Sequence, residues 1–199
     1  MKKLSQLTIA FVLLVSSPSM GGDLIAFGLK GGLAFNSAST DEDIGTADIK
    51  GYTGYQFGAY TRINLPIVMG FKGELLYTAK GYDIEAGGLT STARTSWVEI
   101  PILLSFGLFG KVEFDIGPQF SFLVSDKVKN FDGTDGELPS DFSSSEISLA
   151  LGVDVNIIKK LGAYLRYNYG FGSNYTSGGQ DYKFSNSTLQ VGVKFRIMN

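Results

Sequence analysis

From about residue 24 onward, apolar and polar residues alternate in runs. The stretch "EISLALGVDVNI", Glu146 to Ile157, does so without a miss. Ile147, Leu149, Leu151, Val153, Val155 and Ile157 fall on one side of an extended chain, with Glu146, Ser148, Ala150, Gly152, Asp154 and Asn156 on the other, because successive strand side chains point to opposite faces. The same period of two predicts eight strands, at 24–36, 53–65, 70–80, 96–107, 112–125, 145–157, 161–171 and 187–197. The connections between them have 16, 4, 15, 4, 19, 3 and 15 residues. Long loops rich in Ser, Thr, Asp and Gly thus alternate with tight turns such as "PIVM" and "LFGK". That asymmetry belongs to up-and-down barrels that span an outer membrane, with long extracellular loops and short periplasmic turns. Strands of 11 to 14 residues, tilted, cover its apolar band of about 25 Å.

Each strand has one oily and one polar face, and function depends on which looks inward. The oily face carries no charge. The polar face carries thirteen: Lys30, Arg62, Lys72, Glu74, Lys80, Glu99, Glu113, Asp115, Glu146, Asp154, Arg166, Lys194 and Arg196. Glycine decides between the two readings, since it weakens a strand and is expected where other atoms come close. Eleven strand glycines lie on the polar face, among them Gly28, Gly32, Gly117, Gly162 and Gly192, and only Gly31 and Gly73 on the oily one. A closed eight-stranded barrel has a lumen just wide enough for side chains to fill. Small residues are needed there beside long Arg, Lys and Glu chains, so the polar face is expected inside. A lumen charge network of Lys30, Arg62, Lys72, Glu74, Glu99, Glu113, Asp115, Glu146, Asp154, Arg166 and Lys194 follows, with an aromatic girdle of Tyr55, Tyr77, Tyr167, Tyr169 and Phe171 outside near the long-loop ends.

Composition narrows the chemistry. The 199-residue chain has 26 glycines, no cysteine and no histidine. Disulfides, Cys/His zinc sites, thiol nucleophiles and histidine-dependent triads are therefore excluded. A net charge of −2 with scattered bases gives no footprint for nucleic acid. Paired carboxylates such as Glu74 and Glu99 are expected in ion pairs rather than in acid–base catalysis, so no catalytic residue is assigned. The oxygen-rich "NFDGTDGE", 130–137, lacks EF-hand spacing and reads as a solvated loop tip. No metal or other cofactor is expected.

The N-terminal "MKKLSQLTIAFVLLVSSPSMGG" has two lysines, a short apolar run and small residues, the layout of a secretory signal peptide. Residues 1–21 are expected to be removed and 22–199 to form one barrel domain, exported from the cytoplasm. No later run reaches the length of a spanning helix.

The segments "GLKGGLAFN", "GELLYTAKG", "VEIPILLSF", "IGPQFSFLVS" and "LRYNYGF" resemble, in order and spacing, the small porin-family outer-membrane β-barrel proteins of Gram-negative bacteria. The resemblance spans nearly the whole expected mature chain. It implies an all-β, eight-stranded antiparallel transmembrane barrel in the outer membrane and carries over no catalytic residue. "QVGVKFRI", with Gln190, Gly192, Phe195 and Ile197 at alternate positions, also looks like the C-terminal signal presented to the barrel-assembly machinery. Partners expected on this reading are outer-membrane lipid, that machinery, and an extracellular partner at the loops, around a monomeric barrel. Two rivals remain open: a secreted calyx with the oily face inside, holding a small apolar ligand, and an adhesin-type barrel acting through its loops.

Overall fold

The structure, a computed structural model, describes residues 24–40, 48–65, 68–86, 89–108, 111–130, 134–136, 143–171, 173–177 and 180–198. The expected leader, 1–21, lies outside them, as do 131–133 and 137 of the oxygen-rich segment. Among the described residues, eleven strands form one sheet: β1 (Ile25–Thr40), β2 (Asp48–Gly51), β3 (Thr53–Asn64), β4 (Met69–Ala86), β5 (Leu89–Leu108), β6 (Val112–Lys129), β7 (Asp135–Gly136), β8 (Ser145–Asn156), β9 (Leu161–Gly170), β10 (Ser173–Ser177) and β11 (Gln180–Met198). Eight of them close a ring, each antiparallel to the next, in the order β1, β3, β4, β5, β6, β8, β9, β11 and back to β1. The three short strands pair with overhanging ends: β2 with β4, β7 with β6, and β10 with β11. Closure leaves the eight ring strands without a free edge at mid-height, which is what a sheet in lipid requires.

The ring strands sit where alternation puts them, but several run further than the hydrophobic pattern. The β4–β5 ladder continues to Ala86 opposite Leu89, through most of the expected 81–95 loop, and β5–β6 pairing reaches Thr92 opposite Lys129. β1 and β11 stay paired up to Thr40 and Phe184. The reason lies in what each signal needs. Alternation of oil and polarity records burial in an apolar solvent, whereas the ladder needs only a partner and strand-tolerant residues such as the Thr, Ser and Tyr of these segments. Between 86 and 89 the sequence has Gly87-Gly88, a pair favoured in two-residue hairpins.

The apolar face is outside. Phe57, Phe71, Ile102, Phe122, Ile147, Leu165 and Val193 are all exposed. The polar face fills the interior, where Lys72, Glu99, Arg166, Gln56, Gln119 and Gln190 are essentially inaccessible. Leu76 and Leu103, both on that face, are buried beside them. Glycine makes the filling possible. Gly32 and Gly192 face each other across β1 and β11. A Cβ on either would collide with the opposite backbone and with the Tyr164 hydroxyl 2.7 Å away. Gly28 gives the Tyr60 ring its space in the same way. A register shift between Ser96 and Trp97 leaves Val124 without a partner on β5, so that Leu123 faces Trp97 while Ser125 faces Ser96. This bulge resets the alternation of β6 above it.

Candidate functional site

Strand register gathers the inward charges into two groups at different heights. The larger group fills the half of the lumen nearer the short turns. Lys72 of β4 donates to Asp115 of β6 at 2.6 Å and to Asp154 of β8 at 2.8 Å, with Glu113 at 3.5 Å. Lys194 of β11 reaches the same Asp154 oxygen at 3.0 Å. Arg62 of β3 donates to Glu113 at 2.6 Å, and Asn156 to the same carboxylate oxygen at 3.1 Å. Above these, Arg166 of β9 grips Glu74 of β4 through two parallel bonds of 2.7 and 2.8 Å. Lys30 of β1 adds a contact of 3.1 Å to Glu74 and lies 3.9 Å over the Tyr164 ring. Arg166 also stands 3.8 Å from Asp115, which joins the two levels. Seven of the eight ring strands thereby contribute a charged member, and the bonds run straight across the lumen.

These ions are buried: Lys72, Arg166, Asp115 and Glu74 side chains are at most 2 % exposed. Removing a carboxylate or ammonium from water costs several kcal/mol, recovered only with close partners. The geometry meets that demand. Arg166 supplies the planar fork that a carboxylate accepts two bonds from, and Lys72 supplies a point charge able to serve several acids at once.

The smaller group is nearer the long-strand end. Lys80 meets Glu99 at 2.7 Å, and Glu99 also accepts from Thr78 at 2.8 Å and Gln190 at 3.3 Å. Glu146, expected in the network, has no ion pair among the described residues. It lines a recess at the lumen mouth with Lys80, Tyr82, Trp97, Asn36 and Thr188. A belt of neutral side chains separates the groups, including Gln119 and Asn168, whose buried amides have no hydrogen-bond partner among the described residues.

On the outside, Tyr55, Phe57 and Tyr77 form an aromatic cluster with centroids 5.3 to 6.4 Å apart. Tyr77 donates to Ser96 at 2.7 Å. Tyr169 and Phe171 pack edge to face at 6.2 Å, and Tyr167 is exposed on the same wall. All five girdle residues therefore lie on the outer surface. Of the expected assembly signal, Phe195 and Ile197 point outward while Gln190 is wholly buried in the lumen and Gly192 faces Gly32.

A charged, filled interior inside an apolar wall is the inverse of a water-soluble barrel. Residues 16–176 match the profile of the outer membrane protein beta-barrel domain. The chain belongs to this outer membrane β-barrel family. Its fold is also that of Neisserial surface protein A, NspA, with a TM-score of 0.54 at 16 % identity over 85 % of this chain and 96 % of that one. The outer membrane protein OprG from Pseudomonas aeruginosa gives 0.50 at 14 % identity, over 90 % and 99 %. Both are eight-stranded outer membrane barrels. No curated protein sequence matches the chain. Membership of this family places the protein in the bacterial outer membrane, and the identities are low enough that the two structures show the fold alone.

Three residues central to the lumen of this outer membrane barrel escape a search for charges. Tyr60, Tyr164 and Trp97 are buried at 5, 2 and 4 % exposure. Tyr164 accepts from Gln56 at 2.9 Å, and Trp97 donates to Thr95 at 2.9 Å. Their signal was parity: each is two residues from an inward charge or glycine, on the polar face.

Proposed function

We propose that this protein is a closed outer-membrane barrel that conducts no solute and acts through its outer end, as a structural or surface-interaction protein. The observation that carries the reading is the cross-lumen lattice around Lys72, Glu74 and Arg166, which occupies the path a solute would take. On this reading the long-strand end, with the acid-rich segments, faces outside, and both chain ends face the periplasm, as an even number of ring strands requires. No catalytic residue is assigned. Residues 1–21 serve as the export signal, and the alternate Gln190, Gly192, Phe195 and Ile197 as the segment offered to the assembly machinery. The exposed apolar belt argues against the calyx alternative, since such a wall needs lipid or detergent around it. Planar-bilayer recording of refolded protein tests the closed lumen. The expected trace has no large, stable open state, and steady conductance comparable to that of a wide 16-stranded porin would make diffusion the function instead. Orientation is tested separately by epitope tags on whole cells. A tag at 137–142 is expected to be labelled and one at Lys159 and Lys160 to be protected.

A further inference from the structure

The recess at the lumen mouth holds a carboxylate that the ion-pair lattice does not use. Glu146 shares it with Lys80, but the Lys80 ammonium already lies 2.7 Å from Glu99, whose two further hydrogen bonds fix it in place. The recess itself is lined by one acid and one base, and with Glu99, which does not line it, the group has two acids against one base among the described residues. Much of the neutral lining of the recess is committed as well. Thr188 donates to the Asn36 side-chain oxygen at 3.0 Å, the Asn36 amide donates to the carbonyls of Ala34 and Tyr52, and the Trp97 indole donates to Thr95. What remains is a negative charge beside two aromatic side chains, Tyr82 and Trp97, in a space of about 40 Å³. That is room for a water-sized group or two.

We infer that this recess is a binding site for a primary ammonium group presented from outside, with Glu146 as its counter-ion. Charge selects a cation, and size selects the head of an amine over a quaternary ammonium or a sugar ring. The aromatic walls favour the same guest, since a cation is attracted to the ring face. Lys80, 5.3 Å from the Trp97 ring, shows that an ammonium is accommodated at this wall. A second feature points the same way. The segments expected as long loops, 37–52, 81–95, 126–144 and 172–186, carry 12 acids and 5 bases. A field of that sign concentrates cations at the mouth before they bind. The inference rests on the reading that this end faces outside only for the source of the amine, and not for the binding itself.

Trp97 is the single tryptophan of the chain, so its fluorescence reports from the wall of the site. Refolded protein in an uncharged detergent is titrated with n-butylammonium chloride, with sodium chloride exchanged to hold ionic strength. The expected result is a saturable change in the millimolar range, weakened about tenfold or more by Glu146→Gln, and absent with tetrabutylammonium. A response that does not saturate, that sodium reproduces, or that persists in Glu146→Gln overturns the assignment. If Glu146→Gln does not give a heat-modifiable folded band, Ser187→Lys serves in its place. Its own ammonium fills the recess, and a wild-type response in that variant likewise overturns the proposal. Because the titration is done in detergent, it is independent of orientation. A failed titration with tags labelled as expected sinks the amine site alone. Inverted tags with a good titration leave the site and move it to the periplasm.

Discussion

At the residue scale, every charge of the larger lumen group has an ion-pair partner among the described residues, and the cost of disturbing the group depends on which half of a pair is removed. Arg166→Ala leaves Glu74 buried with only Lys30 beside it. We expect it to destabilise the barrel by about 3–5 kcal/mol, measured as reversible urea unfolding in lipid vesicles. Replacing the whole cluster, Arg166→Met and Glu74→Leu with Lys30→Met, leaves no member of it charged and should recover most of that loss, since Glu74 is also the ion-pair partner of Lys30. A triple variant no better than Arg166→Ala would show that the cluster is not an energetic unit. The opposite sign is expected at Gln119. Its amide is buried without a hydrogen-bond partner among the described residues, and a buried polar group left unpaired costs about 1–3 kcal/mol. Gln119→Met, of similar length and without that amide, should therefore raise the urea midpoint. A fall would mean that the amide is hydrogen-bonded in the folded barrel.

At the element scale, adjacent residues of one strand meet different surroundings, and glycine shows this most sharply. A Cβ on Gly31 meets nothing closer than 3.5 Å, whereas one on Gly32 collides with backbone of β11 and with Tyr164. Gly31→Ala is expected to fold normally, and even to gain slightly from the reduced freedom of the unfolded chain. Gly32→Val should fail to give the compact, heat-modifiable band on SDS gels, because the Gly32–Gly192 contact and the Tyr164 seat cannot both persist. Equal folding of the two would contradict the assignment of faces on β1. The strand extensions belong to this scale too. Above the apolar belt the outward positions turn polar, with Arg94 stacked 4.1 Å over Tyr52 and paired with Asp83 at 2.7 Å. The strand continues while its solvent changes from lipid to water. Within the belt the wall tolerates no such residue: Val193→Lys, on the outer face of β11, should cost about 2–4 kcal/mol if it lies near the bilayer midplane. The same vesicle unfolding reads it, and no loss would place Val193 outside the lipid.

At the scale of the whole molecule, closing eight strands fixes the interior, and much of that outcome is legible in the sequence. The period of two places the ring strands, and one face without charge beside one with thirteen shows a protein built between two solvents. The concentration of glycine on the charged face shows which face is enclosed, because only a crowded interior compensates for glycine in a strand. These are properties of neighbours along one chain, so one chain suffices to reveal them. Partnership is different, because it depends on register between strands far apart in sequence. That Lys72 serves Asp115 and Asp154, 43 and 82 residues away, or that Arg166 takes Glu74 rather than Glu99, follows from the stagger of the closed barrel. The recess that Trp97 lines and the isolation of Glu146 among the described residues follow from the same stagger. The sequence determined which side chains enter the lumen. Only the closed tertiary structure decided their heights in it, and at a lumen one side chain wide, height determines which charges can touch.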